Sequence, residues 1–286
     1  MMCCLSSTRD VEKLAKKRIG IFDSGIGGIT VLKELMDRNI TGVDFIYVAD
    51  TAHVPYGSKP KRLLHGYIKN ILDFLIKSNV SSIICACNTS DSILSSEEKN
   101  TLGVDYISVI DSAVGFLSHK LTGKNNIAII GTETTVRRSV YLRKLITLEQ
   151  IKNVYQKACP LFVPMVEEGL WEGELVEKIV SFYLNDIRDI GIDRLILGCT
   201  HYPFLKKSIV DFLGSKIVID DPSAYLAKQI AQGLNIDDTS EIEIEYYVTG
   251  DPEMFKEQLS KIDRDLLSYP VRKVEEDNTG LIVNAG

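Results

Sequence analysis

Short, almost continuously apolar runs alternate with longer amphipathic stretches along most of this chain, and that alternation leaves few folds open. Ile19-Gly-Ile-Phe22, Asp44–Val48, Ser82–Cys85, Tyr106–Ile110, Asn126–Ile130, Arg194–Leu197, Lys216–Ile219 and Ile244–Val248 read as strands. Runs this apolar suit parallel strands covered on both faces. Between them, stretches such as Lys61–Lys77 and Glu172–Ile190 carry apolar residues at helical spacing. Strand–helix alternation of this kind predicts an α/β fold with mostly parallel sheets and right-handed crossovers. With 286 residues the chain has room for one large or two medium domains, each with a proper core.

The halves of the chain resemble one another. One strand ends Ile21-Phe22-Asp23-Ser24 and another ends Ile129-Ile130-Gly131-Thr132, 108 positions apart counted from Ile19 to Ile127. A second pair ends Cys85-Ala86-Cys87-Asn88-Thr89 and Gly198-Cys199-Thr200-His201, with its cysteines 112 positions apart. Two offsets this close predict two similar, pseudo-symmetric α/β domains with a site in the cleft between them. Coincidence is the alternative, since apolar strands ending in small polar residues are common in such proteins.

Charge narrows the partners. The net charge is −6, and the basic clusters Lys16-Lys17-Arg18, Arg137-Arg138 and Lys206-Lys207 are scattered. Nucleic acid needs clustered Lys and Arg, so none is expected. No apolar run approaches the roughly 18–20 residues of a membrane span, and Met1–Arg18 lacks the apolar stretch of a signal peptide. A cytoplasmic protein is expected, with its six cysteines (Cys3, Cys4, Cys85, Cys87, Cys159, Cys199) as thiols.

Three sites compete. The loop Asp23-Ser-Gly-Ile-Gly-Gly28 follows the first strand, and Asp50 ends the next, as in a dinucleotide-binding unit. The fingerprint fails at Thr30, where its third glycine belongs. Cys85-x-Cys87 with Cys199-x-His201 offers four zinc-type ligands, but one-residue spacings on buried strands do not suit paired metal-binding turns. His53, His65 and His119 stand outside any motif. The cysteine pair is the third site. Cys87 and Cys199 each end a strand ahead of residues able to cap a helix, Asn88-Thr89 or Thr200, where the helix dipole lowers a thiol's pKa. Cys85 and Cys159 read as buried small hydrophobes.

Two like groups on either side of a cleft suit one kind of chemistry. An α-proton is a very weak acid, and inverting the centre needs a base on one face of Cα and an acid on the other. A thiolate and a thiol exchange those roles between directions. Asp23 is a candidate partner for Cys87, His201 for Cys199, and Glu167 a further candidate. Read from the residues alone, the substrate is a small anionic amino acid. A nucleotide- or metal-binding regulatory protein on the same sheet edges is the rival of a different class.

The motifs, in order, resemble the glutamate racemase family of the cofactor-independent aspartate/glutamate racemase superfamily. The matching stretches are Asp23–Gly28, Pro55-Tyr-Gly57, Ala86-Cys-Asn-Thr89, Gly131-Thr132 with Thr135, Cys159–Glu167, Leu197–Pro203 and Thr249-Gly-Asp-Pro252. The resemblance implies Cys87 and Cys199 as the proton-transfer pair, Asp23 and His201 as auxiliary acid–base groups, and Glu167 near the Cys199 side. It implies Ser24, Pro55, Tyr56, Gly57, Asn88, Thr89, Thr132, Thr135 and Thr200 as holding the substrate, with Asp23, His201 and the two thiols beside them. It further implies no pyridoxal phosphate, no metal and no other cofactor, a homodimer, glutamate as substrate, and D-glutamate for bacterial peptidoglycan as product. The family's domains are not sequential, so residues 1–110 plus 222–286 are expected to form one and 111–221 the other. Ser90 departs from the family pattern, standing where a small apolar residue is common. His201 favours glutamate over aspartate, for which an acidic residue is expected after Cys-Thr.

Overall fold

The computed structural model describes residues 17–233, 241–277 and 279–283. Cys3, Cys4 and the expectations for the N-terminal stretch through Lys16 lie outside the described residues. The strands are β1 (Lys17–Asp23), β2 (Val43–Ala49), β3 (Ser82–Cys85), β4 (Asp105–Ser108), β5 (Asn125–Gly131), β6 (Ile151–Ala158), β7 (Arg194–Gly198), β8 (Val218–Asp220), β9 (Ile244–Val248), β10 (Val271–Asp277) and β11 (Gly280–Val283). They form a seven-stranded sheet in the order β11-β10-β9-β2-β1-β3-β4 and a four-stranded sheet in the order β6-β5-β7-β8. All pairings are parallel except that of β10 with β11.

The α/β class with two similar, mostly parallel sheets is present, and the likeness extends to topology. The block β2-β1-β3-β4 repeats as β6-β5-β7-β8. In each block the first strand is flanked by the second and third, and strand order reverses beside it. Open α/β sheets bind ligands at the carboxyl ends of strands at such a reversal. Helix Val109–Lys120 carries the chain out of the first sheet and Pro222–Gly233 leads back toward it. These two helices pack together, with Phe116 stacked on Tyr225 at 3.9 Å.

Burial explains which strands form the centre. Ile19, Ile21 and Phe22 of β1 and Ile127, Ile129 and Ile130 of β5 are all buried. One core cluster runs through both sheets, taking in Tyr47, Ile84, Ile129 and Leu197. A second seats Leu64, Ile68, Ile71 and Leu75 of helix Lys61–Lys77 on Phe22 and Ile83.

Three details differ from expectation. The strand read as Tyr106–Ile110 stops at Ser108, whose hydroxyl accepts from Asp111 N at 3.0 Å and caps the helix that begins at Val109. The strand read from Lys216 begins at Val218. Strands β6, β10 and β11 are additional to those read from the sequence: Ile-Lys-Asn-Val-Tyr-Gln-Lys-Ala and Val-Arg-Lys-Val-Glu-Glu-Asp lie at or near sheet margins, where all their side chains but Val274 are partly or fully exposed.

Candidate active site

Strand register brings the two thiols to one place. Phe22 of β1 pairs with Cys85 of β3, so Asp23-Ser24 and Cys87 leave the first sheet side by side. In the second sheet Gly131 pairs with Gly198, so Thr132 and Cys199 do the same. Ser24, Tyr56, Gly57, Cys87, Asn88, Thr89, Thr132, Val163, Cys199, Thr200 and His201 line one cavity of about 10 Å³. That is room for about one water, so a ligand the size of an amino acid enters only if the two walls part. Asp23, Thr135 and Glu167 are bonded to this lining through Thr200, Thr132 and His201, and Pro55, next to Tyr56 in sequence, is not part of it.

The two sides differ electrostatically. On one, Cys87 Sγ lies 3.8 Å from Ser24 Oγ. Burial, followed by the charge of Asp23, pushes this thiol up to about 12. The lowering expected from a helix N-terminus is outweighed; the helix that follows, Asn88–Ile93, has only six residues. On the other side, Cys199 Sγ is 3.7 Å from His201 Nδ1, and His201 Nε2 is 2.6 Å from Glu167 Oε1. Burial works against charge on His201, yet its bonds to Cys199 and Glu167 prevail and hold the imidazolium well above the usual histidine range. Burial likewise opposes charge on Glu167, and His201 and Gln258 overcome it and hold the carboxyl below its usual value.

Asn88 and Thr200 do not cap helices. Asn88 Oδ1 accepts from Tyr141 OH at 2.7 Å, and Thr200 Oγ1 donates to Asp23 Oδ1 at 3.0 Å. Asp23 Oδ2 also accepts from Gly25 N at 3.0 Å. Burial raises the Asp23 carboxyl, against the pull of the nearby His201 charge. Thr132 Oγ1 lies 2.9 Å from Thr89 Oγ1 and 3.0 Å from Thr135 Oγ1, which links the two sheets' loops through hydroxyls.

The glycine loop serves packing rather than phosphate. A Cβ on Gly27 would sit 2.4 Å from His201 Nδ1, and one on Gly25 would sit 2.2 Å from Glu167 Oε1. Gly57 is pressed in the same way on Thr132, with 2.5 Å to its Cβ. Asp50 is taken up internally: it accepts from the Tyr56 hydroxyl, from Thr249 Oγ1 at 2.6 Å, and pairs with His53 Nδ1 at 2.8 Å. Among the described residues no group of three His, Cys, Asp or Glu side chains comes together to hold a metal.

Comparison with known proteins places this geometry. No family profile matches the chain. The glutamate racemase of Aquifex pyrophilus is 43% identical over 227 residues, covering 79% of this chain and 87% of the relative. That of Carboxydothermus hydrogenoformans is 35% identical over 268 residues, covering 93% and 97%. This chain belongs to the glutamate racemase family. Solved glutamate racemases share its fold. The Francisella tularensis enzyme in complex with D-glutamate has a TM-score of 0.79 at 32% identity, covering 91% of this chain and 98% of that one. The Thermus thermophilus enzyme in complex with β-chloro-D-alanine has a TM-score of 0.78 at 35% identity, covering 91% and 97%.

Within this glutamate racemase fold, several supporting residues escaped the sequence reading. Gln258 donates to both the backbone oxygen of Glu167, at 2.8 Å, and its Oε2, at 3.1 Å. His53 steadies Asp50, and so the cavity-lining Tyr56, although nothing around it in sequence marks it. Val163 gives the cavity its apolar wall. Thr249, in the stretch Thr249-Gly-Asp-Pro252, holds Asp50.

Proposed function

We propose that this protein interconverts L- and D-glutamate by two-thiol proton transfer at Cα, with Cys87 and Cys199 as the pair. One observation carries the reading: two cysteines at equivalent strand ends of two like sheets line a single cavity. The thiolate on one side takes the α-proton. The thiol on the other delivers its proton to the opposite face, which leaves each sulfur in the other's former state. Asp23 stands behind the first sulfur, and His201 with Glu167 stands behind the second. Ser24, Asn88, Thr89, Thr132 and Thr200, with the loop Pro55-Tyr56-Gly57, surround the substrate, and Thr135 supports Thr132. Residues 1–110 plus 222–286 act as one unit and 111–221 as the other, each bringing one thiol. The resemblance to glutamate racemases supports the wider reading of a cytoplasmic homodimer that supplies D-glutamate for peptidoglycan. Among the described residues no helix is long and apolar enough to cross a membrane.

The test is the circular dichroism of pure L-glutamate in chelator-containing buffer, with enzyme stripped of carbonyl cofactors. The signal should decay to zero as the racemate forms. A signal that persists, or decays only on adding zinc or pyridoxal phosphate, defeats this reading. The same assay with L-aspartate tests the substrate, with much slower decay expected.

Thr200 makes a second prediction. Its hydroxyl hydrogen is engaged by Asp23, and a bond to a charged group contributes about 1.5–3 kcal/mol. Thr200→Val should therefore lower kcat/KM by roughly 10–150-fold while the protein stays folded. It should also move the acid limb of the pH profile upward, because a carboxylate that loses a donor ionises less readily. Full activity with an unmoved profile would remove Thr200 and Asp23 from the machinery.

A further inference from the structure

Ser90 is wholly buried, and its hydroxyl finds no hydrogen-bond partner. Its neighbours behave differently: Ser92 Oγ donates to Thr89 O at 2.7 Å, and Ser112 Oγ to Ser108 O at 2.8 Å. A buried hydroxyl without a partner is less favourable than a methyl group, so packing alone would select alanine here. The place of Ser90 in the helix suggests what the hydroxyl is for. Cys87 is the residue flanking helix Asn88–Ile93 at its N-terminus, and Ser90 is the third residue of that helix. At a helix start the backbone N–H and side chain of the third residue are the groups best placed to reach the side chain of the flanking residue, and here neither makes a hydrogen bond to the Cys87 thiol.

We propose that Ser90 is a positioning residue for Cys87, whose hydroxyl stays partnerless while Cys87 is a thiol and donates to the sulfur when it is a thiolate. This rests on the two-thiol reading above. Cys199 has an imidazole–carboxylate pair behind it. The titratable groups around Cys87 include Asp23 at the end of β1, Cys199 and His201 across the cavity, Cys85 two residues before it, Tyr47 on β2, and Tyr56. Apart from His201, whose ring nitrogens are taken by Cys199 and Glu167, all are acids, which oppose a second negative charge when ionised. Neutral donors are therefore what this side offers the sulfur, and the side chain and N–H of Ser90 both favour its charged form.

The test uses the full-length protein without substrate and follows iodoacetamide alkylation of Cys87 and Cys199 by peptide mass across pH. In Ser90→Ala, Cys87 should react about tenfold more slowly at neutral pH, the scale of one bond to a charged atom. Its rate profile should move to higher pH while that of Cys199 stays put, and Tm should be equal or higher. An unmoved Cys87 profile overturns the proposal, and so does an equal shift at both cysteines, which marks a structural role. Ser90→Gly carries the same test if Ser90→Ala does not fold. Wild-type protein inactive on glutamate would defeat the racemase reading and still leave the alkylation result readable.

Discussion

Alanine at either Cys87 or Cys199 should lower racemisation by at least ~10²–10⁴-fold, the usual contribution of a positioned acid or base. In the proposed mechanism each sulfur serves one face of Cα, so losing either stops inversion whichever enantiomer is supplied. Both cysteines are buried, and Cys→Ala removes a single heavy atom from each site, so the variants should melt within a few degrees of wild type. The enantiomers have equal free energy, so kcat/KM must be the same in both directions for every variant, and rate asymmetry says nothing. Isotope exchange does. In D₂O, Cys87→Ala should exchange the α-proton of one enantiomer through Cys199 without inverting it, and Cys199→Ala should exchange that of the other. Near-normal racemisation by either variant would break the two-thiol mechanism.

Much of this arrangement is legible in sequence, for reasons that also mark where legibility stops. The central strands announce themselves because burial on both faces demands continuous apolar runs, as in Ile127–Ile130. Strands β6 and β10 are poorly covered, with only Val274 buried between them, and their Lys, Asn and Glu residues hide them. Ile110 misleads because an apolar residue after a strand reads as more strand, and only the Ser108 cap shows that a helix has begun. Cys87 and Cys199 stand out because strand ends are where α/β sheets place ligands. The pairing of His201 with Glu167 spans 34 positions, and the Gln258 contact with Glu167 spans 91. The first depends on how the segment after β6 folds back to the end of β7, and the second on how the two sheets face each other, and local pattern encodes neither. The Cys87 thiol shows the same limit in energy. A strand-to-helix junction predicts a lowered pKa, but full desolvation beside Asp23 outweighs the field of a six-residue helix.

Glu167→Gln should then cost roughly 10²-fold or more in racemisation, and its effect should fall on one side of the cavity. His201 is fully buried, and its charge is held by Glu167 at 2.6 Å. Removing one partner of a buried ion pair costs about 3–5 kcal/mol, so the imidazole of the variant gives up its proton and ceases to support charge on Cys199. The pair also sets a pH window. With His201 raised, its charge is complete below the usual histidine value and is lost as pH climbs through the higher folded value. With Glu167 lowered, its charge is lost only as pH falls through a value below the usual carboxylate range. Wild-type activity should therefore hold across neutral pH and into mildly alkaline solution, and the alkaline limb of Glu167→Gln should move down. The sharper readout is again exchange in D₂O. Cys87 remains competent in Glu167→Gln, so the enantiomer it deprotonates should exchange faster than it inverts. That enantiomer must be the one exchanged by Cys199→Ala, because both variants disable the same sulfur. Matching enantiomers would tie His201 and Glu167 to Cys199. Exchange of the opposite enantiomer, or of both equally, would detach the pair from that thiol.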